Sequence, residues 1–148
     1  MIYLGSDHAG LALKQELAAH LSAAGQVVQD LGTHNAESCD YPEVAIAVSR
    51  AVADRAGSHG ILICGYGTGM AITANKINGI RAAMCANELQ ARLARAHNNA
   101  NILCLGARLQ GAELALAVAD AFMSTSFEGG RHARRVALIA GAEQESRS

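Results

Sequence analysis

The sequence lacks three features that would each point to a particular class of protein. Its formal net charge is only −1, so it has no excess of positive charge that would indicate a nucleic-acid-binding protein. No apolar run approaches the length of a membrane span. Residues Met1 to Gly5 run straight into the polar group Ser6-Asp7-His8, with no basic segment and no long apolar stretch. We therefore expect neither a membrane protein nor a secretory signal.

The cysteines also lack a paired arrangement. Cys39, Cys64, Cys85 and Cys104 show no C-x-x-C spacing, so the sequence indicates neither a zinc site nor a disulfide framework. We therefore expect free thiols in the reducing environment of the cytoplasm.

Strand-like and helix-like segments alternate along the chain. The 148 residues, 51% of them hydrophobic, are enough for one folded domain with a sizeable core. The predicted strands are residues 2–4, a segment beginning at residue 27, and residues 61–64, 80–85 and 102–105. Apolar residues at helical spacing and glycine breaks predict six helices. The first is marked by Leu13, Leu17 and Leu21 and ends at Gly25, the second is marked by Val44, Val48 and Val52 and runs from near Pro42 to Gly57, and the third runs from after Gly69 to about Lys76. The last three are marked by Leu89 and Leu93, ending near His97, by Leu114, Val118 and Phe122, and by Val136 and Ile139 after Gly129-Gly130. This alternation predicts one α/β domain over residues 1–148, with a parallel sheet covered by helices on both faces.

Ligands of such folds bind beyond the carboxyl ends of the strands. The residues to search therefore follow the first, third and fifth predicted strands. They are Ser6-Asp7-His8, the segment from Cys64 to Gly69, and Gly106-Ala107-Arg108. The loop from Gly32 to Pro42 follows the second strand and is long enough to contribute.

The segment Cys64-Gly65-Tyr66-Gly67-Thr68-Gly69 is the most informative of these. Main-chain N–H groups in such a turn, with a helix N-terminus behind them, favour negative charge. We therefore expect the Cys64 thiol to ionise more easily than a free one. The alternative is a small buried core residue, which is the role we assign to Cys85 and Cys104. The G-x-G-x-G pattern alone is only a weak dinucleotide signal, because its spacing is wrong and it follows the third strand.

Three polar groups at predicted turns allow a structural and a functional interpretation. Asp7 is suited to cap a helix but also to move a proton, and His8 could bind an anion or transfer protons. The segment His97-Asn98-Asn99 is typical of a helix C-terminus, and it could equally be a proton-transferring cluster.

Arg131 and Arg135 indicate a bound phosphate. They lie four residues apart in the first turns of the last helix, where cations are on the unfavourable end of the helix dipole. A solvated surface would tolerate this arrangement, but a bound dianion explains it better because guanidinium groups match phosphate oxygens. Arg108 could add a third positive contact.

Together these residues predict a reaction that moves a proton between adjacent carbons of a sugar phosphate. Cys64 would act as the base, amide N–H groups would stabilise an enediolate, and a second acid/base pair would open the sugar ring. This chemistry requires no metal and no cofactor. Two other classes remain open: a non-catalytic nucleotide- or phosphate-binding module, and a thiol redox protein, against which the absence of a resolving cysteine near Cys64 argues.

The chain resembles the ribose-5-phosphate isomerase B family, which also includes galactose-6-phosphate isomerase subunits. The matching stretches span nearly the whole chain in the family's order. They are Gly5-Ser6-Asp7-His8-Ala9-Gly10, Asp30-Leu31-Gly32-Thr33, Asp40-Tyr41-Pro42, Ile61-Leu62-Ile63-Cys64-Gly65, Ala74-Asn75-Lys76, Gly79-Ile80-Arg81-Ala82, His97-Asn98, Gly106-Ala107-Arg108 and Phe127-Glu128-Gly129-Gly130-Arg131-His132.

The resemblance implies a Rossmann-like three-layer α/β/α sandwich with a five-stranded parallel sheet. It also implies a homodimer or a dimer of dimers whose active sites are each shared between two chains. The implied roles are as follows: Cys64 as proton-transferring base; Gly65, Gly67 and Gly69 in the anion hole for the enediolate; Asp7 and His97 in ring opening; His8, Arg108, Arg131 and Arg135 as phosphate contacts; Asn98 as a contact to a substrate hydroxyl; and Tyr41 as a pocket residue.

One position departs from the family pattern. Family members usually carry Ser or Thr two residues after the cysteine and an aliphatic residue two further on, where this chain has Tyr66 and Thr68. The hydroxyl that helps to open the ring is therefore either replaced by the Tyr66 phenol or displaced to Thr68. Tyr66 could narrow the pocket, reach across a dimer or point away. We expect ribose 5-phosphate and ribulose 5-phosphate as the leading substrate pair, with tetrose, allose or galactose phosphates as alternatives.

Overall fold

The structure, a computed structural model, describes residues 1–145, so residues 146–148 of the expected domain lie outside the described residues. The strands are β1 (Ile2–Ser6), β2 (Val28–Asp30), β3 (His59–Cys64), β4 (Ala82–Met84) and β5 (Ile102–Gly106). The helices are α1 (Leu11–Ala23), α2 (Tyr41–Ala53), α3 (Thr68–Ala74), α4 (Glu88–Asn98), α5 (Ala112–Ser124) and α6 (Arg131–Glu145).

The five strands form one sheet in the order β2-β1-β3-β5-β4, and every neighbouring pair is parallel. Alternate residues of the central strand β3 point to opposite faces. Ile61 and Ile63 pack with apolar residues of α1, α4 and α5, whereas Leu62 and Cys64 pack with those of α2 and α3. The continuous apolar run of β3 is therefore buried on both sides. The predicted three-layer α/β/α sandwich with a five-stranded parallel sheet is confirmed.

The largest difference from the predicted elements is at β4, which we predicted over residues 80–85. The Ile80 N–H bonds the Ile77 carbonyl and the Arg81 N–H bonds the Asn101 side chain, so the strand begins only at Ala82. The second and third helices end at Ala53 and Ala74, slightly before the predicted ends. Conversely, β1 and β5 extend to Ser6 and Gly106, directly beside the polar segments that follow them.

A buried lysine joins α1 to the turn that follows β2. The side chain of Lys14 is fully buried, and its Nζ donates to Asp30 Oδ1 at 2.6 Å and to the Thr33 carbonyl. The same turn is fixed to the end of β1, because the Ser6 N–H bonds the Gly32 carbonyl and the Thr33 N–H bonds the Ser6 carbonyl, both at 2.7 Å. Lys14 therefore holds this turn beside the residues that lead into Asp7.

Within residues 1–145, none of the helices combines the length and the apolar composition needed to cross a lipid bilayer.

Replacing Lys14 by methionine will lower the free energy of unfolding by about 2–4 kcal/mol, because the Asp30 carboxylate and the Thr33 carbonyl lose a charged donor. Urea denaturation measures the change. The matched control is K76M, which alters the exposed Lys76, the only other lysine of the sequence, and is expected to change stability by less than about 0.5 kcal/mol. Equal stability of the two variants would contradict the anchoring role of Lys14.

Candidate active site

A cavity of about 300 Å³ opens at the carboxyl ends of β1 and β3. Except for Ala9, its lining consists of residues that the sequence had singled out. The lining residues are Asp7, His8, Ala9, Tyr41, Cys64, Gly65, Tyr66, Thr68, Gly69 and Arg108. A larger cavity of about 620 Å³ lies beside α3, β4 and α6, but Asn98 is the only predicted site residue in its lining. The chemistry of the side chains therefore favours the smaller cavity.

The Cys64 sulfur lies in the wall of this cavity and accepts a hydrogen bond. The Gly67 N–H donates to Sγ at 3.2 Å. Gly67 has φ +78°, and a Cβ there would lie 3.0 Å from the Met84 side chain, so only glycine fits this turn without strain. A donor placed on the sulfur stabilises negative charge as it develops there.

The other buried thiols are in a different environment. Cys85 and Cys104 lie in the core, 1% and 0% exposed. Burial raises the pKa of the Cys85 thiol to about 11 and raises the pKa of Cys104 as well. Both stay protonated at neutral pH, in agreement with the structural role predicted for them.

The glycine at position 69 lets an aromatic ring approach the first turn of α3. A Cβ on Gly69 would lie 2.5 Å from Cζ of Tyr41, so the Tyr41 ring occupies the space that a side chain would need. Tyr41 begins α2, and Thr68 begins α3. The N–H groups of Thr68, Gly69 and Met70 lie in the first turn of α3, where helix geometry provides no acceptor for them.

Asp7 and His8 are both held by backbone contacts. Asp7 Oδ1 accepts the Gly10 N–H at 3.1 Å in the turn before α1, and Asp7 also lines the cavity. The capping interpretation of Asp7 is wrong, because the N-cap of α1 is Gly10 and no side chain caps that helix. The Cys39 N–H donates to His8 Nδ1 at 3.3 Å. Because Nδ1 is the acceptor, Nε2 carries the proton of the neutral ring and is the donor nitrogen. No pattern in the sequence predicted this contact of His8 with the loop after β2.

Tyr66 lies at the mouth of the cavity beside Arg108. The ring is half exposed, and the Arg108 guanidinium carbon lies 5.9 Å from its centroid, within the range of a cation–π contact. The backbone positions both residues, because the Arg108 N–H bonds the Gly65 carbonyl at 2.9 Å. The phenol therefore stands next to a predicted phosphate contact.

Four predicted site residues lie elsewhere in the chain. His97 and Asn98 end α4, immediately before the amino end of β5, whereas Cys64 is at the carboxyl end of the parallel strand β3. Strands of this length separate the two edges by about 16 Å. Arg131 and Arg135 belong to α6, which packs on α4. A single chain therefore assembles the cysteine half of the predicted site and the histidine–arginine half at opposite edges of the sheet.

The histidine–arginine half contains two residues that no sequence pattern had singled out as functional, Glu128 and His132. The His132 ring stacks on the His97 ring with centroids 4.2 Å apart and an angle of 9° between the planes. Glu128 Oε2 lies 3.8 Å from His97 Nε2 and 3.6 Å from His132 Nε2. Desolvation and the positive charges of His97 and Arg131 lower the pKa of His132. The i, i+4 spacing of Glu128 and His132 was the only available sequence signal for this cluster.

Comparison with known proteins places the chain among sugar-phosphate isomerases. The model of the Ribose/Galactose Isomerase family matches residues 2–139. The chain is 47% identical to ribose-5-phosphate isomerase B of Escherichia coli over 143 residues, 97% of this chain and 96% of that protein. It superposes on Clostridium thermocellum ribose-5-phosphate isomerase B with a TM-score of 0.96 and 48% identity over 98% of both chains.

A third relative was solved with a ligand. Mycoplasma genitalium ribose-5-phosphate isomerase B with bound ribulose-5-phosphate matches with a TM-score of 0.94 and 40% identity, covering 97% of this chain and 96% of that one. These likenesses confirm the expected enzyme class and span almost the whole sequence. The chain belongs to the ribose/galactose isomerase family.

Proposed function

We propose that this enzyme interconverts ribose 5-phosphate and ribulose 5-phosphate through an enediolate, with Cys64 as the base and with no metal or cofactor. The observation that carries the proposal is the Cys64 sulfur in the wall of a polar cavity, hydrogen-bonded by the Gly67 amide, with Asp7 and Thr68 in the same lining. The Mycoplasma genitalium relative with bound ribulose-5-phosphate supports the choice of substrate.

Proton transfer uses the cysteine half of the site. The Cys64 thiolate removes the proton from C2 of the open-chain aldose, and the electron pair moves to the carbonyl oxygen at C1 to give an enediolate. Cys64 then returns the proton to C1, while the proton of the C2 hydroxyl passes to the C1 oxygen, so that C2 becomes the ketone and C1 carries the hydroxyl. Amide N–H groups of the turn from Gly65 to Gly69 stabilise the oxygen charge. The Gly67 N–H is occupied by the sulfur, so the amides of the first turn of α3 are the available donors.

Ring opening must come first, because the sugar enters as a cyclic hemiacetal. It needs a base at the anomeric hydroxyl and an acid at the ring oxygen. Asp7 and the Thr68 hydroxyl line the cavity on the cysteine side. His97 of the partner subunit supplies the second acid/base group. Tyr41 shapes the pocket wall, and Asn98 of the partner subunit bonds a substrate hydroxyl.

Four basic side chains bind the phosphate. His8 offers its Nε2 donor because Nδ1 is occupied by the Cys39 amide. Arg108 stands at the cavity mouth, held against the Tyr66 ring. Arg131 and Arg135 of the partner subunit bind the remaining phosphate oxygens, since each guanidinium group can bind two of them. We call these four basic side chains the phosphate clamp.

We propose a homodimer, alone or paired into a dimer of dimers, in which each active site takes one half from each chain. The support is the separation of about 16 Å between the two sheet edges, which no side chain of one subunit bridges. Large apolar side chains are also exposed on the two helices that carry the histidine–arginine half: Leu89 is 59% exposed in the first turn of α4, and Leu138 is 68% exposed on α6. A second copy of the chain would bury this surface.

The free thiols also support a location of the protein in the cytoplasm. The described cysteines are all free, and Cys64 can act as a base only when it is reduced. We therefore propose that residues 1–148 work as one isomerase domain in the cytoplasm, where thiols remain reduced.

The position of Tyr66 favours a second candidate substrate. Its ring lines the cavity beside Arg108, at a position where family members usually carry a small hydroxyl residue, and we infer that this larger side chain narrows the cavity mouth. A narrower mouth favours a shorter substrate, so a tetrose phosphate is the alternative for the same proton transfer, ahead of allose or galactose phosphates.

A panel of four-, five- and six-carbon aldose phosphates, assayed for ketose formation without added metal, tests the function. We expect the highest kcat/KM with ribose 5-phosphate, and C64S will lower kcat by about 10³-fold or more because serine is a poor base. The matched control is C39S, which keeps the backbone N–H that contacts His8 and is expected to keep its activity. Ketose formation by folded C64S at the normal rate would exclude Cys64 as the base, and nucleotide binding without turnover would favour the non-catalytic module.

The catalytic hydroxyl is tested by a pair of substitutions. T68V will lower kcat about 10–100-fold, because it removes the hydroxyl proposed for ring opening and keeps the side-chain volume. Y66F keeps the ring against Arg108 and is expected to leave kcat unchanged. The reverse result, with Y66F impaired and T68V active, would assign the role to the Tyr66 phenol. Assays with the open-chain form of the substrate would separate ring opening from proton transfer.

Sharing of the site is tested by mixing two inactive variants. C64S and H97N, unfolded together and refolded at equal amounts, will recover about a quarter of the wild-type activity, because half of the dimers are mixed and each of those has one intact site of two. C64S mixed with T68V should show no more activity than the average of the two variants measured separately, since both changes lie in the same half. No recovery in the first mixture would mean that His97 does not serve the partner's site.

A further inference from the structure

The cluster of Glu128, His97 and His132 has the composition of a metal site. One ligand atom from each residue lies within 4.8 Å of the other two. Two imidazole nitrogens and a carboxylate oxygen are the donor set of many three-ligand zinc sites, in which a water takes the fourth position.

The distances fit a metal ion better than hydrogen bonds. Glu128 Oε2 is 3.8 Å and 3.6 Å from the two Nε2 atoms, too far for either histidine to donate to it. Donor atoms around a tetrahedral zinc ion with bonds of 2.0–2.1 Å are about 3.4 Å apart. The carboxylate oxygen therefore needs to approach by only a few tenths of an ångström. The two ring planes are only 9° apart, so the half-exposed His97 ring must rotate out of the stack until its Nε2 lone pair points at the same ion as that of His132.

The exposures of the three side chains allow this closure. The His132 side chain is only 7% exposed and is enclosed by its neighbours, whereas His97 and Glu128 are 37% and 60% exposed. The backbone holds the two segments together, because the Glu128 N–H bonds the Ala96 carbonyl at 3.0 Å. Glu128 and His97 can therefore move toward His132 while the frame stays in place.

Electrostatics sets a limit on the affinity. The positive charges of Arg131 and Arg135, which lie on the same helix as His132, oppose a bound cation. The Glu128 carboxylate offsets part of the positive charge, so the affinity will be well below that of a structural zinc site.

We propose that His97, Glu128 and His132 form an inhibitory site for a borderline transition metal such as Zn²⁺. All three ligands come from one chain, so the site forms without a partner subunit. The metal takes the His97 nitrogen that would otherwise transfer a proton during ring opening, and it brings a positive charge next to the phosphate clamp. The inhibition rests on the proposed function, whereas metal binding does not.

Binding is measured without any assay of activity, by competition of the intact protein with a chromogenic zinc chelator. We expect one Zn²⁺ per chain, and H132N and E128Q will each weaken binding by at least about tenfold. Glu128 is exposed, so E128Q retains the fold. The matched controls H20N and E16Q change a histidine and a glutamate outside the cluster, and they are expected to leave the affinity unchanged.

The ligand type is checked with Co²⁺, whose complex here will lack the charge-transfer band of a cobalt–thiolate bond. C64S is expected to bind zinc as tightly as the wild type. The proposal is overturned if E128Q and H132N bind zinc normally, or if C64S alone abolishes binding. In the activity assay, Zn²⁺ will inhibit the wild type at concentrations that leave E128Q active. A protein that binds zinc through the cluster but shows no isomerase activity would refute the proposed function and not the site.

Discussion

The parallel direction of β3 and β5 is the constraint on which the rest of the site depends. Both strands end at the same edge, so Cys64 and Arg108 meet there, and both begin at the opposite edge, where His97 precedes β5. No local adjustment of a loop changes this, because strand polarity is fixed by the order of the chain and by the crossover helices. A chemistry that needs both edges therefore needs two copies of the molecule.

The cysteine edge shows how a few backbone contacts create a reactive position in an otherwise ordinary core. Cys64 and Cys104 lie on the adjacent strands β3 and β5, and both residues are buried. They differ in what surrounds them: Cys104 is enclosed by apolar side chains, while Cys64 is followed by a left-handed glycine that directs its amide at the sulfur. The glycine turn, and not the depth of burial, separates the candidate base from the inert thiol.

The sequence predicted the layers and the cysteine half of the site because both follow from local patterns. Alternating apolar segments fix the element order, and strand ends in a parallel sheet fix the edge where Asp7, Cys64 and Arg108 meet. The contacts between distant segments left no such signal. No sequence pattern predicts that Lys14 forms an ion pair with Asp30 or that the His132 ring stacks on His97. Strand β4 was predicted too long because the Arg81 N–H bonds the side chain of Asn101 and not a neighbouring strand, a contact that apolar periodicity does not encode.

The loop between β2 and α2 is held at two points, by Lys14 at its start and by His8 near its end. Between those points, residues 34–38 are all exposed. Both contacts use backbone atoms of the loop, the Thr33 carbonyl and the Cys39 amide. Residues 34–38 can therefore tolerate substitution without displacing the His8 imidazole from the wall of the cavity.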